Sequence, residues 1–166
     1  LKKIDKSVLW LVRPHTDAIR NLYSELDKQG INKERIIFAE TMNLTDHLSR
    51  HQYGDLFLDT FNYNAGTTGI LSLWAGLPIV TLAGKTYNSR ASAYFLNSCN
   101  LNNLITYNKN DYELLAYELA TNKGKLSHIR NKLKNKESTS FDIYKYTKAL
   151  ERIYSDINFN PDKIKH

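Results

Sequence analysis

Short apolar runs alternate along this chain with stretches in which apolar residues return every third or fourth position. Ser7–Val12, Arg35–Ala39, Leu56–Thr60, Pro78–Leu82 and Leu104–Thr106 are rich in strand formers and predict five strands. Ile19, Leu22, Tyr23 and Leu26 fall at helical spacing, with Thr16 or Asp17 as the expected cap and Gly30 as the stop. Thr45 is expected to cap a short helix running to Tyr53 and closed by Gly54. Further helices are predicted from Thr67, from a Ser89 cap, over Asp111–Leu119, and over 123–136 and 142–157. The strands are continuous rather than alternating, which is the pattern of a parallel sheet covered on both faces. Five strand–helix alternations predict an α/β fold, a Rossmann-like doubly wound sheet. Such sheets bind ligands outside the carboxyl ends of their strands, which singles out 39–44, 60–69, 82–89 and 106–110.

Length and composition narrow the class. The 166 residues suit one domain over 1–166, at 42% hydrophobic and 24% charged. No run of about eighteen apolar residues is present, so no membrane partner is expected. Cys99 is the single cysteine; it excludes an internal disulfide and a cysteine zinc site and points to a cytoplasmic setting. The net charge of +6 is local: nine of the 23 lysines and arginines lie in 123–152, against three of the 17 acids. Lysines at helical spacing among polar neighbours read as a solvated helix face, and no nucleic-acid partner is expected.

The strongest local motif is Phe61-Asn62-Tyr63-Asn64-Ala65-Gly66-Thr67-Thr68-Gly69, between a strand and a helix. A helix N-terminus offers free amides and a positive dipole end. Gly66 and Gly69 are expected to allow close backbone approach, and Thr67 and Thr68 add hydroxyl donors, so the turn suits a phosphate or diphosphate. A merely capped turn is the alternative. The motif is neither a P-loop nor a G-x-G-x-x-G fingerprint. His47 and His51 stand four apart, but no acid or cysteine cluster completes a metal site, and none is expected. Asp59 ends a strand at the ligand edge; satisfying loop amides is the favoured role over catalysis.

The blocks Asp55–Gly69, Leu73–Gly84 and Ser89-Arg90-Ala91 resemble the C-terminal catalytic lobe of the O-linked N-acetylglucosamine transferases, glycosyltransferase family 41, which includes the SPINDLY-type proteins. The resemblance runs from about Ser7 to Tyr154 and takes in Phe38, His47, Arg50, Phe141, Tyr146 and Leu150-Glu151. It is nearest to bacterial members, whose loop commonly reads Asp-Thr-Phe-Pro-Tyr-Asn-Ala-Gly-Thr-Thr. The resemblance implies half of a GT-B fold and an inverting transfer of sugar from a nucleotide donor to Ser or Thr of proteins. It implies UDP-N-acetylglucosamine as donor, with GDP-fucose as the alternative, and neither a cofactor nor a metal. Thr67, Thr68 and the Gly66 amide would hold the diphosphate. His47 would lie against the base, the backbone near Met42 would read its edge, and Arg50 matches a basic position on the same helix.

The sequence departs from the family at three places. An acid usual after the Thr-Thr pair, expected at the ribose hydroxyls, is replaced by Leu71. Leu44 stands where animal enzymes have a lysine, and Gly66 where they have a histidine. The family lobe opens with a strand carrying a Phe-Asn…Lys motif, and this sequence begins after it. No catalytic residue is therefore expected within the chain, which by itself is expected to be inactive. An N-terminal lobe and tetratricopeptide repeats would be partners supplied by a longer protein. A degenerate nucleotide-sugar-binding or protein-interaction module is the rival reading, favoured by Leu71. Two structural expectations follow. The strands at 8–12 and 56–60, which would flank the missing first strand, should pair directly or recruit a neighbour's strand. The stripe Ile143, Tyr146, Leu150, Ile153, Tyr154 and Ile157 should pack internally or drive self-association through 142–157.

Overall fold

The computed structural model describes residues 1–135 and 141–159. Among the described residues five strands alternate with helices and two further helices follow: β1 (Leu9–Val12), α1 (Thr16–Lys28), β2 (Ile36–Ala39), α2 (Leu44–Arg50), β3 (Phe57–Leu58), α3 (Thr67–Trp74), β4 (Ile79–Leu82), α4 (Ala91–Ser98), β5 (Ile105–Thr106), α5 (Lys109–Thr121), α6 (Lys123–Lys134) and α7 (Ile143–Phe159). Every strand pairing is parallel, as the α/β reading requires. Part of the predicted helix over 123–136, at residue 136, lies outside the described residues.

The caps are asparagines rather than the residues first expected. Asn43 Oδ1 accepts from the Asp46 amide at 3.0 Å and opens α2 in place of Thr45. Asn108 Oδ1 accepts from the Asp111 amide at 2.9 Å, so α5 begins at Lys109 rather than Asp111. His15 Nδ1, at 3.4 Å from the Asp17 amide, caps α1 instead of Thr16 or Asp17. Ser89 does not cap α4; the cap position is Arg90, and Ser89 is spent on a turn with Thr86. Gly30 does end α1. Its φ of +65° is left-handed, and the Ile31→Leu26 and Gly30→Asp27 amide–carbonyl bonds close a Schellman motif.

The strands form two sheets, not one: β1–β2, and β3–β4–β5. The expected direct pairing of 8–12 with 56–60 is absent. β1 is taken up by β2 and β3 by β4, and no ladder joins the two sheets among the described residues. The hydrophobic core lies on the three-stranded sheet, where Leu73, Ile79, Val80, Leu96, Leu104 and Leu119 are fully buried. On the β1–β2 pair, α1 places the Tyr23 ring against Phe38 of β2. Trp10 and Val12 stay 40% and 57% exposed, so cover on both faces does not extend to this pair. No helix among the described residues is long and apolar enough to cross a membrane.

Candidate functional site

The carboxyl end of β3 runs into the loop 60–66, and the loop into α3. The α3 cap position, Gly66, makes no side-chain capping bond. The first amides to find partners inside the helix are those of Gly69 and Ile70, both donating to Gly66 O. The amides of Gly66, Thr67 and Thr68 have no acceptor among the described residues. Thr67 and Thr68 are exposed. A Cβ added at Gly66 would meet nothing within 4 Å, so the space beside the Gly66 Cα is open. Three free N–H groups, two exposed threonines and the positive end of the helix dipole occur together at this turn, which suits an anion.

The two glycines of the motif differ in role. Gly66 faces open space as expected. Gly69 does not: a Cβ there would stand 3.2 Å from Ala65 Cβ, 3.6 Å from Ser92 Oγ and 3.7 Å from Ile79 Cδ1. Gly69 therefore serves close packing of α3 on β4 and α4, not ligand approach. Leu71 is half-buried in the second turn of α3 and brings no polar atom to the site. Its neighbour Ser72 is buried, and Oγ donates to Thr68 O.

The loop before α3 is bound from several sides. Asp59, 3% exposed, accepts at Oδ1 from the Thr60 and Ala65 amides and at Oδ2 from Thr81 Oγ1, as the loop-satisfying reading expects. Tyr112 OH donates to Asp59 O; burial, and then the Asp59 charge, push its phenol well above the usual range. Asn64 Nδ2 donates to Thr60 O, and the Asn64 amide donates to Asn88 O across to the 84–90 turn. Sequence reasoning passed over Asn64. Its burial and its main-chain bond to Asn88, 24 residues on, leave no local pattern in the sequence.

A second group lies at the carboxyl end of β2. Arg50 Nη2 lies 2.7 Å from His47 Nδ1, and Arg50 Nη1 donates to Glu40 O at 2.8 Å. Arginine only donates, so His47 Nδ1 accepts and a neutral ring carries its proton on Nε2. His51 is buried, with Nδ1 2.6 Å from His47 O and its ring edge-on to His47 at 4.6 Å. His51 Nδ1 thus ties its ring to the His47 carbonyl near the end of α2. No group of three or more His, Cys, Asp or Glu side chains able to hold a metal occurs among the described residues. Met42 is 43% exposed in the turn between β2 and α2. The structure thus joins His47 to Arg50, and Gly66 to Thr67 and Thr68. No hydrogen bond links the two groups among the described residues.

Burial lowers the His47 pKa, and His51 and Arg50 lower it further. A depressed folded-state pKa means that the neutral form contributes stability above the ordinary histidine value of about 6.5. That contribution is lost as pH falls through the folded value. In a proton NMR titration His47 is expected to change below the ordinary value, and Arg50→Met to raise its midpoint. A wild-type midpoint at or above the ordinary value contradicts this geometry.

The chain as a whole is similar to known proteins of one family. The Glycosyl transferase family 41 model matches residues 1–150. The Arabidopsis thaliana protein SEC, described as a probable UDP-N-acetylglucosamine–peptide N-acetylglucosaminyltransferase, is 32% identical over 93% of this chain, which covers 16% of SEC. A Caenorhabditis elegans UDP-N-acetylglucosamine–peptide N-acetylglucosaminyltransferase is 29% identical over 91% of this chain and 13% of its own length. A variant of the Thermobaculum terrenum O-GlcNAc transferase superposes with a TM-score of 0.77 at 29% identity, covering 84% of this chain and 27% of that one. The chain therefore spans a small part of the proteins it matches.

Proposed function

The chain belongs to glycosyltransferase family 41, and from that premise we propose that it is the donor-binding lobe of a protein O-linked glycosyltransferase. In this reading the whole protein moves N-acetylglucosamine from UDP-N-acetylglucosamine to Ser or Thr of acceptor proteins, in the cytoplasm. The observation that carries the reading is the open N-terminus of α3, with the amides of Gly66, Thr67 and Thr68 unpartnered among the described residues. A diphosphate there gains charge-assisted hydrogen bonds and the helix dipole together. His47 offers a flat neutral ring for the base at the end of β2. The reading calls on no cofactor and no metal. The chemical step needs groups that position the acceptor and take its proton, and these come from the N-terminal lobe of a longer protein.

Titration calorimetry with UDP and GDP tests the reading. Weak, saturable binding of UDP is expected, with GDP weaker. Leu71→Asp places a carboxylate where a ribose hydroxyl can donate to it, and should tighten UDP about tenfold, the scale of one hydrogen bond to a charged group. Failure of the intact chain to bind either nucleotide would remove the donor site. The half-buried Leu71 favours the non-catalytic module as second reading, and UDP binding that Leu71→Asp leaves untouched would support it.

The last helix supports a further partner. Ile143, Tyr146, Ile153 and Tyr154 are exposed on α7, from 53% to 80%, so this stripe is not packed internally. Exposed apolar area is unfavourable by about 25 cal/mol per Å². The isolated chain should therefore self-associate through 142–157. Sedimentation should show oligomers that Tyr154→Asp combined with Ile157→Asp dissolves; a monomeric intact chain at high concentration would defeat this.

A further inference from the structure

The loop that presents the anion site is shaped by one buried carboxylate. Asp59 Oδ1 takes the amides at both ends of the loop, Thr60 at 3.0 Å and Ala65 at 2.8 Å. One oxygen thus closes the neck of a loop whose ends are five residues apart in sequence. Oδ2 is fixed by the hydroxyl of Thr81 at 2.7 Å, a residue of β4 that is itself fully buried. The Asp59 main chain is fixed as well: its amide donates to Val80 O at 3.1 Å, and its carbonyl accepts from Tyr112 OH at 3.0 Å. The carboxylate is therefore tied to the core on one side and to the loop on the other.

Ala65 is the residue immediately before the three free amides. With its N–H turned onto Asp59, the direction of the chain entering Gly66 is set. Ser92 Oγ donates to Ala65 O at 3.2 Å and fixes the other face of the same residue. We propose that Asp59 is a positioning residue of the donor site: its carboxylate holds the Ala65 amide, so that the amides of Gly66, Thr67 and Thr68 are aimed together at the diphosphate before it binds. The role rests on the donor-site reading above and adds a residue that touches no ligand atom. An amide nest that must order itself on binding loses affinity, and one ordered in advance does not.

The test separates positioning from mere folding. Asp59→Asn keeps an oxygen for the two amides, with its NH₂ toward Thr81 Oγ1, which can turn to accept. Asp59→Ala removes the acceptor altogether. UDP is titrated into the intact chain and both variants, and amide hydrogen exchange is followed by NMR. The Ala65 amide in Asp59→Ala should exchange at least tenfold faster, while Ile79, Val80 and Leu104 keep their protection. UDP affinity should fall at least tenfold in Asp59→Ala and no more than about threefold in Asp59→Asn. Equal UDP affinity in the intact chain and Asp59→Ala overturns the proposal and leaves the donor site standing. Loss of protection at Ile79, Val80 and Leu104 together with Ala65 also overturns it, because Asp59 then serves the fold alone. An intact chain that takes no UDP overturns the donor reading and this role with it.

Discussion

Leu73→Ala is expected to destabilise the chain by about 3 kcal/mol, within the roughly 2–5 kcal/mol span of buried leucine truncations. Leu73 is fully buried in the core, where it packs with Ile79 and Leu96. Truncation removes transfer free energy and leaves a cavity in a region that cannot readily collapse, because α3 is held close to β4 at Gly69. A domain of this size has roughly 5–15 kcal/mol in total, so the loss is a large fraction of it. The same residue links stability to the site, since α3 carries the free amides on its first turn. Urea unfolding should show a clear fall in midpoint for Leu73→Ala. Leu114→Ala, on an exposed position of α5, should stay within about 0.5 kcal/mol of the intact chain. Equal effects of the two substitutions would show that the core is not where the structure places it.

Thr67→Ala with Thr68→Ala is expected to weaken UDP binding by about 1–3 kcal/mol, a factor of roughly 5 to 150 in Kd. Alanine keeps both backbone amides and favours the helix, so α3 and its dipole remain. Only the two hydroxyls are lost, and both are on exposed residues beside the open space over Gly66. The bond from Ser72 Oγ to Thr68 O uses the backbone and survives the change. Unaltered UDP affinity in the double variant would remove the hydroxyls from the site.

Much of this architecture was legible in the chain. The runs Ser7–Val12, Arg35–Ala39 and Pro78–Leu82 contain β1, β2 and β4, because dense runs of strand formers are a local signal. Runs 56–60 and 104–106 shrank to two-residue strands, since pairing depends on neighbours that the run itself does not reveal. The division of the sheet was hidden for the same reason. The caps carried a signal that went unread. Asn43 and Asn108 each stand three residues before an aspartate, and each side-chain amide donates to that carboxylate at 2.7 Å while accepting its backbone N–H. This is a reciprocal arrangement like the capping box, and Asn-x-x-Asp could have located both helix starts.

In the site, Thr67, Thr68 and His47 were legible because a helix start and a strand's carboxyl end are local features. The distinct roles of Gly66 and Gly69 were not, since they depend on what stands opposite each glycine: open space in one case and Ala65, Ser92 and Ile79 in the other. The bracing of the loop by Thr81, Asn88 and Tyr112 was equally out of reach. Those contacts join residues 22 to 53 positions apart in the cases of Thr81 and Tyr112, and no local pattern encodes them.

We propose above that the start of α3 receives the diphosphate of a nucleotide donor. An NMR titration of the nitrogen-15-labelled chain with UDP tests it most directly, by following each backbone amide as nucleotide is added. The amides of Gly66, Thr67 and Thr68 are predicted to move together and saturate with a single affinity, with the His47 ring shifting along the same curve. UDP that binds while these three amides stay still, or no shift in any amide at saturating nucleotide, would contradict the account.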